Sequence, residues 1–406
     1  MTPSRTERDR RSLAQLPAAV ARRAKKPLVL GVASLFGLGL AEGLSRLLFD
    51  PLDYLQPEIV QDDTLGHRIE PGSAGHDAWG YRNPAVPERV EIVAIGDSQT
   101  YGVAASADAS WPAWLDRIRS EDVYNLALGG YGPVQYGHLL ERHALELEPS
   151  TVIVGVYFGN DFLDAWYMAY AHEPWVGLRQ PELIGSFAAE VEAMRRRKQV
   201  REQRLWGRVR AWFAKNSVVY RKLDFSPIGQ WLHTAPRIVA QDGDPDHVWQ
   251  EVNGTIVEFR PQQRLSAVDL DDPKIREGLR ITELMLARMH ARCVETGIRF
   301  VTTLIPTKER VFGDFLARNP DAAVREVVEE QLAHEDRARA ALLSFLVERG
   351  IEVVDLLPAL RAVAGEARIY PLHTEGHPNL HGYRLIAETL SSHLAADAGR
   401  TAPPPT

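Results

Sequence analysis

The chain has 406 residues, 45% apolar and 25% charged, the balance of a folded protein with room for one large domain plus additions, or for two domains. Its formal net charge of −7, with no nucleic-acid motif in sight, excludes generic nucleic-acid binding. The single cysteine, Cys293, excludes an intramolecular disulfide and reads as buried filler in a helix-like stretch.

Residues 1–26 form a basic head, with Arg5, Arg8, Arg10, Arg11, Arg22, Arg23, Lys25 and Lys26 set against Glu7 and Asp9. Residues 27–41 are then uncharged and mostly apolar, and the apolar character continues through Leu44, Leu47, Leu48 and Phe49. About 20 helical residues cross a hydrocarbon core of about 30 Å, so 27–49 is expected to be a transmembrane anchor. Glu42 and Arg46 interrupt it at i,i+4 spacing, where they can pair or snorkel. The positive flank precedes the span, which keeps residues 1–26 cytoplasmic and turns the rest toward the periplasm or cell exterior. Lipid of the inner membrane is thus one expected partner. Two other readings compete: Gly39-Leu40-Ala41 resembles a signal-peptide cleavage site, and the segment can be a buried helix of a cytoplasmic protein. The long basic head and the apolar continuation past Ala41 favour the uncleaved anchor, and the lack of a nearby cysteine excludes a lipoprotein.

Residues 50–89 are rich in Pro, Gly and Asp and read as an irregular lead-in, with Trp79, Tyr81 and Arg82 either near a site mouth or covering the first strand. Strand and helix patterns then alternate: strand 90–95, helix 110–119, strand 123–125, helix 133–147 and strand 151–157. After an insertion at about 163–272 they resume with helix 275–296, strand 298–305, helix 322–349, strand 351–354 and a final helix from about 380 to 394. This alternation predicts an α/β fold with a parallel sheet and helices on both faces, over residues 90–398. The tail, 399–406, is expected to be disordered.

The chemistry gathers at four strand or loop ends. The first predicted strand runs into Gly96-Asp97-Ser98, which puts a hydroxyl at the carboxyl edge of the sheet, where open α/β sheets bind ligands. Asn125 to Gly132 ends the second strand in a glycine-rich turn, and Gly159-Asn160-Asp161 ends the third. Near the C-terminus stands Glu375-Gly376-His377-Pro378-Asn379. Together these supply a nucleophile, a base, an acid and amide donors, the set that acyl transfer needs. Asp97 and Asp161 follow strand-end glycines and read first as turn caps rather than metal ligands. His373 and His381 bracket His377, but no second ligand cluster accompanies them, so no metal and no cofactor is expected.

The order of these blocks resembles the SGNH/GDSL hydrolase superfamily, over roughly residues 92–394. The resemblance implies a flavodoxin-like three-layer α/β/α fold, with a largely helical insertion and the N-terminal transmembrane helix as additions. It implies Ser98 as nucleophile, His377 as general base, and the Ser98 amide, the Gly130 amide and the Asn160 side chain as oxyanion donors. The family often has Asp three residues before its histidine, where this chain has Thr374. Glu375 is the substitute, with Asp355 or a backbone carbonyl as other ways to orient the ring and His373 as the reserve base. The flanks of Ser98 also differ from the Gly-x-Ser-x-Gly elbow of α/β-hydrolases.

Because the insertion follows Asn160, it is expected to lid the pocket, with Trp166 and Tyr167 lining it. It carries Arg195-Arg196-Arg197-Lys198, then Arg201, Arg204, Arg208, Arg210 and Lys215, with Trp206, Trp212 and Phe213 among them. Such a stretch either lies on an anionic surface or acidic glycan, or is a solvated helix with one apolar face on the domain. Pro306-Thr307-Lys308 is similar to a segment of the SGNH-like domains of polysaccharide O-acetyltransferases, so Lys308 is either a substrate contact or a solvated strand-end lysine. The expected activity is a serine esterase acting on O-acyl esters, chiefly O-acetyl groups on a small molecule or glycan. A transferase passing the acetyl group to a polysaccharide hydroxyl, and a degenerate glycan-binding domain, are the alternatives.

Overall fold

Runs of Val, Ile and Leu that alternate between two apolar faces make strands that are buried on both sides. The computed structural model describes residues 29, 32–201, 205–225, 247–366, 368–371 and 376–398. Its strands are β1 (Ile59–Asp62), β2 (Gly66–Ile69), β3 (Ile92–Gly96), β4 (Val123–Ala127), β5 (Thr151–Tyr157), β6 (Val248–Val252), β7 (Thr255–Phe259), β8 (Arg299–Ile305) and β9 (Glu352–Asp355). Five of them form one parallel sheet in the order β4-β3-β5-β8-β9. On β3, Val93 and Ile95 point into one core with Leu139, Leu286 and Leu342, while Ile92 and Ala94 point into the other with Trp111, Leu115 and Ile386. Helices Pro133–Arg142, Pro273–Thr296 and Ala322–Glu348 therefore cover one face, and Trp111–Arg119 and Leu380–Ala398 cover the other.

The helix boundaries follow local chemistry. Asp272 accepts the Lys274 N–H at 2.9 Å to start the Pro273–Thr296 helix, and Gly297 in the left-handed region (φ 70°) stops it. Asp321 caps Ala322–Glu348 in the same manner through the Ala323 N–H. Each strand and helix expected in the α/β core is present. The expected 133–147 helix breaks after Arg142 and finishes as a 3-10 turn, Ala144–Leu147. Cys293 is fully buried.

Two antiparallel hairpins depart from the expected pattern. Strands β6 and β7 meet at Asn253-Gly254, both with positive φ (48° and 77°), the turn that an Asn-Gly pair favours between strands. Strands β1 and β2 pair within the lead-in that the composition suggests is irregular, so part of it is ordered sheet. Arg82 is likewise buried there, donating to the Gly102 carbonyl at 2.8 Å beneath the first strand's exit.

Before the lead-in, residues 32–48 form a helix whose Leu35, Phe36, Leu47 and Leu48 are exposed. Glu42 and Arg46 pair at 2.8 Å, as their spacing predicts. They also reach the insertion. Glu42 accepts from the Val218 N–H at 3.0 Å and the Ser217 hydroxyl at 2.8 Å, capping the Val218–Phe225 helix, while Arg46 donates to the Asn216 carbonyl at 2.6 Å. No helix among the described residues is long and apolar enough to cross a membrane; residues 1–28, 30 and 31 and the tail 399–406 lie outside the described residues.

Candidate active site

Strand β3 has neighbours laid down later on both sides, β4 and β5, so the chain's progress across the sheet reverses there. At such a point the loops leaving adjacent strands diverge and open a crevice at their carboxyl ends. Gly96 closes β3 against the next helix. A Cβ there would stand 2.1 Å from the Thr100 hydroxyl, so only glycine allows the tight exit. Buried Asp97 then accepts the Gln99 N–H at 2.8 Å, the turn cap expected of it, and starts the short Ser98–Tyr101 helix. Ser98 is left half-buried at the crevice.

Nε2 of His377 lies 2.7 Å from the Ser98 Oγ. The same oxygen is 3.3 Å from Asp97 Oδ2. A hydroxyl has one proton to give, and the shorter contact favours the imidazole, whose Nε2 then accepts. The segment bearing His377 is tied down locally. Gln99 Nε2 donates to the Gly376 carbonyl at 3.2 Å, and a Cβ on Gly376 would run into the Arg264 guanidinium. Two residues on, Asn379 accepts the His381 N–H at 2.9 Å and opens the Leu380–Ala398 helix, on which His381 is exposed. Burial raises the Asp97 carboxyl above the usual range, opposed by the Gln99 N–H and the adjacent His377.

The glycine turn after β4 comes directly alongside. A Cβ on Gly129 would lie 3.5 Å from the Ser98 Cβ, and Gly130 has φ 81°, where a side chain is strained. Among the described residues the Gly130 N–H donates to nothing. Asn160 precedes the Asp161–Ala171 helix and donates from Nδ2 to Asp164 at 2.6 Å. Beneath it, fully buried Asp161 accepts the Tyr157 N–H at 3.1 Å and the Tyr136 hydroxyl at 3.1 Å, a cap for the strand end. Burial pushes its carboxyl well above the usual range.

Ser98, Gly130, Asn160 and His377 are thus brought to one crevice from four distant stretches of chain. Several expectations are corrected. Trp166 is not a pocket wall. It is fully enclosed, edge-on to Phe187 at 5.4 Å and stacked near Tyr170, in a satellite core between the Asp161–Ala171 helix and the insertion. Tyr167 is buried in the same cluster, edge-on to His172. Lys308 is neither solvated nor at the surface: at 1% exposure it donates to the Glu258 carbonyl at 3.1 Å and the Pro371 carbonyl at 3.0 Å. Asp355 is held by Arg339 and accepts the Leu357 N–H at 3.1 Å, which removes it as an orienter of His377. Glu375, Thr374 and His373 lie outside the described residues.

His67, on β2, lies outside the four chemical blocks of the sequence. Its Nε2 is 3.0 Å from the Gly129 carbonyl oxygen, and its ring covers Gly130. The signal for it was the turn cluster 62–66, where Asp62 accepts the Thr64 and Leu65 N–H groups and creates the hairpin.

No protein-family profile matches this chain, and no curated protein matches it. Solved structures similar to it include a lipolytic protein of the G-D-S-L family from Desulfitobacterium hafniense (15% identity, 75% of this chain and 99% of that one, TM-score 0.35). Two others are an extracellular lipase from Streptomyces rimosus (11%, 75% and 99%, TM-score 0.39) and an acetylxylan esterase from Geobacillus stearothermophilus (10%, 75% and 94%, TM-score 0.36). With TM-scores below 0.5 throughout, the functional reading rests on this chain's own residues and their geometry.

Proposed function

We propose that this chain is an SGNH-type serine ester hydrolase, with Ser98 as nucleophile and His377 as general base. The observation that carries the reading is the 2.7 Å contact between Ser98 Oγ and His377 Nε2, at the switch point of the sheet. Ser98 attacks the ester carbonyl carbon while its proton passes to Nε2 of His377. The oxyanion that forms is received by the Ser98 and Gly130 N–H groups and the Asn160 amide. Collapse expels the alcohol, which takes the proton back from His377 and leaves an acyl-serine. Water activated by the same imidazole then releases the acid. Glu375 is proposed to orient His377 from two residues upstream.

The proposed substrate is an O-acetyl ester on a small molecule or glycan. The Gly129-Gly130 turn packed against Ser98, where a Cβ on Gly129 would stand 3.5 Å from the Ser98 Cβ, supports a small acyl group. The proposed setting is the outer side of the cytoplasmic membrane, with residues 27–49 as anchor and lipid as partner. The exposed Leu35, Phe36, Leu47 and Leu48 support that anchor, since apolar side chains so placed need cover.

The test is turnover of p-nitrophenyl acetate by the wild type and by Ser98→Ala. Turnover that disappears with the hydroxyl bears the reading out. Equal turnover by both, or none by either with the protein folded, overturns it in favour of a binding domain. Acetyl release with and without added glycan separates hydrolysis from transfer, and alkaline washing of membranes tests the anchor, which release into the wash would refute.

A further inference from the structure

The Tyr131 N–H donates to the Leu128 carbonyl at 3.2 Å, so residues 128–131 form a β-turn with Gly129 and Gly130 at its centre. Only Gly130 of the two has positive φ, at 81°, which makes the turn type II. Types I and II differ in one respect: the peptide between the two central residues is turned over, by coupled changes in ψ of the first and φ of the second. Here that peptide is the Gly129 carbonyl and the Gly130 N–H, one face of the proposed oxyanion hole. Glycine at both positions tolerates either orientation, so the turn itself does not hold the N–H in place.

The holding group comes from outside the α/β core. His67 Nε2 is 3.0 Å from the Gly129 carbonyl oxygen; a carbonyl only accepts, so Nε2 carries the proton. The residue is held twice. It packs against Tyr131 with centroids 5.2 Å apart, and the Tyr131 hydroxyl donates to the His67 carbonyl at 2.8 Å. Gln135 Nε2 adds a bond to the Leu65 carbonyl at 3.4 Å, clamping β2 over the glycine turn.

The geometry points to His67 as a positioning residue that selects the type II orientation of the Gly129–Gly130 peptide and so presents the Gly130 N–H to the oxyanion. The inference rests on the esterase reading above. It acts in two ways. The carbonyl bond to His67 turns the N–H of the same amide away from His67, and a bond accepted at the oxygen polarises the amide and strengthens its N–H as a donor. A single net hydrogen bond shifts a two-state peptide by up to about tenfold, so the effect on turnover is at most about tenfold, short of the roughly 100- to 1,000-fold that outright loss of an oxyanion donor costs.

The full chain contains one Gly-Gly pair, at 129–130. Protein labelled with carbonyl-13C, 15N-glycine therefore shows a single Gly–Gly correlation, which reports this peptide alone. His67→Phe keeps the ring and removes the donor; His67→Gln places an amide donor in a similar position. We expect His67→Phe to move the Gly–Gly correlation and lower kcat for p-nitrophenyl acetate by more than about twofold and up to about tenfold, with KM within about twofold, measured well below the melting temperature of the variant. His67→Gln should restore much of both. An unmoved correlation in folded His67→Phe, or a moved one with kcat within twofold of wild type, overturns the inference. Absence of Ser98-dependent turnover would sink the esterase reading, and with it the catalytic role of His67, while the correlation still decides whether the latch exists.

Discussion

Lys308 donates its ammonium to the carbonyl of Pro371 at 3.0 Å, six residues before His377. A lysine at 1% exposure is costly unless its protons are met, and here the carbonyls of Glu258 and Pro371 accept two of them. The contact ties the exit of β8 to the approach of the histidine segment. Replacing Lys308 with Met leaves those two carbonyls without this donor, at about 1–3 kcal/mol each. We expect a melting temperature lower by several degrees and a fall in kcat as His377 loses register with Ser98. Thermal melts and saturation kinetics on the same preparation check both, and an unchanged kcat would confine Lys308 to stability.

Gly96→Ala tests the tight exit of β3. The new Cβ would stand 2.1 Å from the Thr100 hydroxyl and 2.7 Å from Thr100 Cβ, so the Ser98–Tyr101 helix must shift. Overpacking of this kind costs about 1–3 kcal/mol. Because Ser98 is the first residue of the displaced helix, turnover should fall by more than the loss of folded protein accounts for. Activity corrected for folded fraction by circular dichroism provides the comparison.

Asn160→Ala probes whether an amide committed to Asp164 still serves the oxyanion. The bond to Asp164, at 2.6 Å, uses one amide proton. As an oxyanion donor Asn160 should be worth about 100-fold or more in kcat, with little change in KM. A loss confined to stability would assign it to the polar network under Ser98 alone.

Glu335, on the Ala322–Glu348 helix, gives a pH dependence. It is fully buried, accepts from the Thr307 N–H at 2.9 Å and Gln331 at 2.7 Å, and burial raises its carboxyl from 4.5 to about 7. The folded state thus holds the proton more tightly than the unfolded one. The resulting stability is complete below about 4.5 and is lost as pH rises through about 7. Melting temperatures between pH 5 and 8 should fall relative to those of Glu335→Gln as pH increases; parallel curves would contradict the assignment.

The sequence by itself determined the α/β alternation and the four chemical blocks. Both are local signals: strands β3 and β5 are largely apolar runs and β8 is rich in β-branched residues, and Gly96-Asp97-Ser98 and Gly159-Asn160-Asp161 are strand-end turns written in adjacent residues. Asn253-Gly254 carried an equally local hairpin signal that composition alone obscured. What only the tertiary structure decided is which side chains face the crevice and which face the core. Trp166, Tyr167 and Lys308 have the composition of a binding wall but are enclosed, because the Asp161–Ala171 helix packs against Pro273–Thr296 and the β6–β7 hairpin covers Lys308. The converse holds for His67. Sixty-two residues separate it from Gly129, and no periodicity joins them; their 3.0 Å contact exists because the first hairpin folds back over a turn whose conformation two glycines leave open.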